Sequence, residues 1–120
     1  MPSANERQVG GEHYKGAEYQ HWDWVTDTKL NYLAGCASKY VSRHRSKNGK
    51  EDLGKAIHYM DKAQERFITG SAVSSRMSAY WRFVLENNLT MIEAMICWYV
   101  QEGEWEAARL ATQTLLDQTA

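Results

Sequence analysis

Proline, the residue that most firmly excludes helix interiors and central strands, occurs once in 120 residues, at Pro2. Everything beyond the first two residues is therefore free to run as helix, and the apolar spacing shows where it does. Leu30, Leu33, Ala34, Ala37 and Val41 follow the i, i+3, i+4, i+7 rhythm of an amphipathic helix, predicted over about 29–46. The polar run Ser46-Lys47-Asn48-Gly49-Lys50 contains Asn-Gly, a turn signal that ends one helix and admits the next. Leu53, Ile57, Met60 and Phe67 then stripe a second helix over about 51–68. Glu51 and Asp52 stand in its first turn, where the positive end of the macrodipole favours acids. The two segments form a central αα-hairpin.

Residues 69–75, TGSAVSS, read as a loop. Helical patterning then resumes with Met77, Tyr80, Trp81 and Val84 able to share a face, and Asn87-Asn88 interrupts it. Thr90-Met91-Ile92-Glu93 has the capping-box form that starts another helix, and Gly103 ends it. Trp105, Ala108, Leu115 and Leu116 mark a last helix from about 104 to 117. The fold class predicted is all-α with about five helices. Residues 1–16, with Gly10, Gly11 and Gly16, are expected to be a flexible N-terminal arm. Residues 17–120 form a single helical domain, with the hairpin region at 17–68 and the C-terminal helices at 76–120.

Composition narrows the function. Hydrophobic residues at 43% and aromatic residues at 12% exclude wholesale disorder. A net charge of −1 leaves no global field toward DNA or a membrane, so any anion site must be a local cluster and nucleic acid is not an expected partner. The longest apolar run, 94–100, is far short of the roughly 20 residues that span a bilayer. With no apolar core in the N-terminal stretch to make a secretory signal, a cytoplasmic location is expected. Cys36 and Cys97 form no C-x-x-C motif and the His residues have no zinc-ligand spacing, so no metal site and no disulfide are expected. Both thiols read as buried and inert.

Chemistry concentrates between residues 39 and 55. Lys39, Arg43, Arg45, Lys47, Lys50 and Lys55 stand there against Glu51 and Asp52, a local charge of +4 with His neutral. On helical geometry Lys39 and Arg43 lie about 40° apart, and Lys55, Tyr59, Lys62 and Arg66 fall within a stripe of about 60° on the second helix. Such faces are often merely solvated, but Tyr32, Cys36 and Tyr59 share them, which points to a cover: the Trp-rich segment before them, another subunit or a ligand. Guanidinium and ammonium groups so placed suit phosphate oxygens, and the second helix offers free N–H groups nearby. A phosphorylated small molecule is the natural guest. Neither G-x-x-x-x-G-K-[ST] nor G-x-G-x-x-G occurs, so a conventional P-loop enzyme is excluded. The stretch Tyr19-Gln20-His21-Trp22-Asp23-Trp24 suits core or subunit contacts, or base stacking. The acidic pairs Asp23 with Asp27 and Asp61 with Glu65 have i, i+4 spacing that could hold Mg²⁺ in a helical nucleotide pyrophosphatase.

The order His13-Tyr14, then Gly35-x-x-x-Lys39-Tyr40-x-x-Arg43, then Asp52-Leu53-x-Lys55-Ala56-x-x-Tyr59 resembles the small phage-encoded SaV-like family, which includes a nucleotide kinase of short-tailed coliphages. The resemblance covers residues 10–66, about half of the chain, and leaves the region from about residue 71 outside it. It implies a nucleotide-binding protein, a deoxynucleoside monophosphate kinase without a Walker A loop, working in the cytoplasm of an infected cell. On that reading Lys39, Arg43 and Lys55 contact phosphate as the catalytic residues. Arg45, Lys47 and Lys50 form an outer ring, Asp52 orients Lys55, binds Mg²⁺ or caps its helix, His13 and Tyr14 fold over the ligand, and Tyr59 stacks on the base. Mg²⁺ would arrive with the nucleotide, and a homo-oligomer is expected. Two other readings stay open: a non-enzymatic binder that sequesters a signalling nucleotide, and an adaptor that contacts a host protein through Trp98, Tyr99 and Trp105.

Overall fold

The structure, a computed structural model, describes residues 3–5 and 17–120. Among the described residues there are six α-helices: α1 (His21–Asp27), α2 (Tyr32–Arg43), α3 (Lys50–Glu65), α4 (Arg76–Glu86), α5 (Met91–Glu102) and α6 (Trp105–Gln118), with a single 3₁₀ turn at His44–Ser46. The short α1 is a helix of its own, opened by a reciprocal cap between Gln20 and Asp23. It closes with Lys29 at φ +53°, its chain reversal marked by Leu30 N–H on Val25 O at 3.0 Å. That reversal is why α2 starts at Tyr32 and not at Lys29: Asn31 caps it, its side-chain oxygen accepting Leu33 N–H at 2.7 Å.

The central hairpin is present as α2 and α3. Gly49, at φ +52°, turns the chain between them, and its N–H reaches back to His44 O at 2.9 Å. Ala34, Ala37 and Val41 on α2 meet Leu53, Ala56, Met60 and Ala63 on α3, all buried. Alanine at four of these seven positions lets the two backbones approach closely. Phe67, expected on this stripe, is instead 90% exposed. The cause is that α3 stops at Glu65 and Phe67 itself takes φ +55° as the residue that reverses the chain.

The C-terminal helices complete this core from within the same chain. Ile96 and Val100 of α5 and Trp105 and Ala108 of α6 join the buried cluster, and the Trp105 indole N–H donates to Ile68 O at 2.8 Å. Thr90 and Glu93 form the expected capping box at the start of α5. Gly103 ends α5 at φ +73° and sits against Gly70, so closely that a Cβ added at Gly70 would lie 2.3 Å from the carbonyl carbon of Glu102.

A second cluster joins α1 to α4. Trp24 is fully buried and stacks on Phe83, with centroids 4.8 Å apart and planes 10° off parallel, and its indole N–H donates to Gln101 Oε1 at 2.8 Å. Tyr19, Tyr80, Val84 and Cys97 surround the pair. On α4 the inward residues are thus Tyr80, Phe83 and Val84, whereas Met77 and Trp81, expected to share their face, are half exposed. No described helix is long and apolar enough to cross a membrane.

Candidate functional site

The α2–α3 hairpin brings the two halves of the basic cluster together around one ring. Tyr40, on α2 between Lys39 and Arg43, has the Lys39 ammonium 5.3 Å, the Arg43 guanidinium 5.0 Å and the Lys55 ammonium 5.5 Å from its centroid. Tyr59 of α3 stacks on Tyr40 with centroids 5.8 Å apart and planes 19° off parallel, and Tyr32 meets Tyr59 edge-on at 6.5 Å. Among the described residues neither Lys39 nor Lys55 has a carboxylate within 4 Å. Three cations sharing one aromatic ring repel one another. The ring's negative face offsets part of that repulsion, and an anion would relieve the rest. Beside them Leu33, Tyr40, Lys55, His58, Tyr59 and Lys62 line a surface groove of about 550 Å³, the size of a small-molecule site.

Asp52 is fully buried in the first turn of α3. Its Oδ2 accepts the Asn48 N–H at 3.1 Å and stands 3.5 Å from Arg43 Nε. It therefore ties the turn before α3 to the helix and steadies Arg43, and Lys55 is not its partner. Its Oδ1 is buried with no hydrogen-bond partner.

Arg45 is engaged elsewhere. Its guanidinium bonds Glu93 at 2.8 and 3.0 Å and Asn88 O at 3.1 Å, and the buried His44 ring also meets Glu93, Nε2 to Oε2, at 2.8 Å. Burial by itself would raise the Glu93 carboxyl. Hydrogen bonds from His44, the Thr90 N–H and Arg45, with the charge of Arg45, outweigh burial and hold it down to about 2. Arg45 thus clasps the 3₁₀ turn to α5 and is no part of a loose ring, whereas Lys47 and Lys50 extend exposed around the Gly49 turn. His13 and Tyr14 lie outside the described residues.

The flank of the site is furnished by α1, whose His21, Trp22 and Val25 line a shallow cleft with Tyr32, Gly35, Cys36 and Lys39. His21 is buried, and Ser38 spends its single hydroxyl proton on Ala34 O, so the 2.8 Å contact is His21 Nε2–H donating to Ser38 Oγ. Burial, and then the charge of Lys39, press the imidazole down to about 3 and keep it neutral. Cys36 is half-buried beside Tyr32, whose hydroxyl is pushed up to about 12 by its hydrogen bond to Cys36 and by the charges of Cys36 and Tyr59. Cys97 is buried, which raises its thiol.

The acidic pairs have other work. Asp23 caps α1, Asp27 accepts the Tyr19 hydroxyl at 2.6 Å, and Asp61 pairs with Arg109 at 2.8 Å. No three His, Cys, Asp or Glu side chains gather for a metal among the described residues. Tyr40, the ring on which the cations converge, was legible only as the residue between Lys39 and the x-x-Arg43 spacing. His58 and Lys62 carried no signal beyond helical periodicity.

Residues 9–61 match a family described as a protein of unknown function, DUF3310. The chain is similar to that family over α1, α2 and most of α3, the stretch that carries Lys39, Arg43 and Lys55. No curated protein and no solved structure matches the chain.

Proposed function

We propose that the α2–α3 surface binds a nucleotide and that the chain is a deoxynucleoside monophosphate kinase that works without a Walker A loop. The observation that carries this reading is the convergence of Lys39, Arg43 and Lys55 within 5.5 Å of the Tyr40 ring, itself stacked on Tyr59. Charge for phosphates and flat area for a base occupy one surface. A nucleoside monophosphate has a second ionisation near 6 and is a ready nucleophile at neutral pH. One of its oxygens attacks the terminal phosphorus of a nucleoside triphosphate, the bond to the bridging oxygen breaks, and the departing diphosphate keeps the electron pair. Such a step needs positioning and positive charge more than a general base. Lys39, Arg43 and Lys55 supply that charge, Asp52 fixes Arg43, and Tyr59 and Tyr40 orient the base. Mg²⁺ belongs here to the phosphates of the incoming nucleotides, which it neutralises.

The test follows thermal stabilisation and diphosphate formation together, across a set of deoxynucleoside monophosphates with a triphosphate donor. Lys39→Ala and Arg43→Ala should each weaken binding by about 2 kcal/mol, roughly thirtyfold, and abolish transfer. Stabilisation without any diphosphate would leave a sequestering binder. Affinity that is indifferent to both substitutions would remove the site.

A further inference from the structure

The half of the chain outside the family match carries an apolar face that its own fold leaves uncovered. Helix α4 leans on α1 through Tyr80, Phe83 and Val84, and turns Met77, Trp81 and Leu85 the other way, 51%, 50% and 69% exposed. These three are spaced four apart and so form one ridge. On α5, Met91 and Met95 are 89% and 41% exposed, and they too are one turn apart on one face. A groove of about 450 Å³ lined by Met77, Tyr80, Trp81, Met95, Trp98 and Tyr99 joins the Met77–Trp81 part of the first ridge to Met95 on the second.

We propose that this face is a two-fold interface with a second copy of the chain, α4 crossing its counterpart at Trp81. Three observations select a second copy over a different protein. The first is area: the five side chains expose on the order of 600 Å², at the upper limit of the apolar patches that monomers carry and close to the roughly 800 Å² per partner of a standard interface. Charge is the second. Every charged side chain from Arg76 to Glu102 is already ion-paired within its own chain: Arg76 with Glu102, Arg82 with Glu86, and Glu93 with Arg45, each at 2.8 Å. The face therefore presents no unbalanced charge to select an oppositely charged partner, and none that would repel its own copy. The third is the sequence of the ridge. Met77, Trp81 and Leu85 read large, larger, large about a centre, so an antiparallel crossing sets Met77 against Leu85 at both ends and Trp81 against Trp81 on the axis. This is the self-complementarity an isologous contact requires. The interface would leave the α2–α3 site untouched, and the inference does not depend on what that site binds.

The experiment is sedimentation velocity on the full chain from low to high micromolar concentration. The expected result is a species of twice 13.8 kDa. Leu85→Lys, at an exposed position that the monomer's core does not use, should weaken association at least about thirtyfold, because a two-fold axis applies the change twice. Leu110→Lys, equally exposed on α6, should leave it unchanged. The axis is read separately: in a Cys36→Ser background, Trp81→Cys should cross-link to itself under mild oxidation. A wild-type chain that is monomeric at every concentration overturns the proposal and leaves the face to a different protein. So does a dimer indifferent to Leu85→Lys, or one that gives no cross-link at position 81.

Discussion

Two buried polar residues, His21 and Glu93, make this protein lose stability in acid. The His21 imidazole is held neutral down to about pH 3, while in the unfolded chain it takes up a proton near 6.5. A base whose folded value is depressed contributes stability that is complete above its unfolded value and declines as the pH falls toward the folded one. The slope is at most about 1.4 kcal/mol per pH unit. Glu93, held at about 2 against an ordinary 4.5, adds a second loss only below pH 4.5. Urea titrations between pH 6.5 and 4.5 should thus show stability falling with pH, and His21→Gln should flatten that fall. Glu93 also joins the 3₁₀ turn to α5, and Glu93→Ala would strand the buried His44 with neither ring nitrogen paired. A loss of about 3 kcal/mol in urea unfolding is expected.

At the scale of helices, the boundaries follow short-range chemistry. Thr90 caps α5 and Gly103 ends it where sequence patterns place them, and Asn31 caps α2 two residues past the expected start, after the Lys29 reversal. A junction that local signals do not explain is the contact of the α3–α4 loop with the end of α5. Ser71 N–H donates to Gln101 O at 2.7 Å and Ser71 Oγ to Thr28 O at 2.7 Å, which draws Gly70 onto the Glu102 backbone. Gly70→Ala meets backbone atoms, which cannot rotate away as a side-chain tip can. It should cost about 2 kcal/mol and lower the melting temperature by several degrees, by calorimetry, with the helix content unchanged.

For the whole molecule, the α2–α3 hairpin does not hold its own core. Ile96, Val100, Trp105 and Ala108 close one side of it, so a chain cut after residue 68 exposes the alanine-lined seam to water. Such a fragment should show little cooperative unfolding in urea and should bind a hydrophobic dye, even though it contains every cation of the site. A fragment that unfolds cooperatively would show that the C-terminal helices merely decorate the hairpin. The radius of gyration, 13.6 Å, is that expected of one compact domain of this length.

Residue order alone is enough to read the all-α class, the central hairpin with its Asn48-Gly49 turn, the capping box of α5 and the placing of the cations on α2 and α3. All of these rest on interactions within four residues, which periodicity and cap chemistry report directly. Long-range packing, by contrast, puts Phe67 in water, pairs Arg45 with Glu93 48 residues away, and leaves Met77 and Trp81 outside while Phe83 goes in. Those outcomes depend on where a helix stops and on which distant face it meets. A pattern of apolar residues names the face a helix can bury, but the neighbour it is buried against is fixed by contacts among remote residues that form only once the chain has closed on itself.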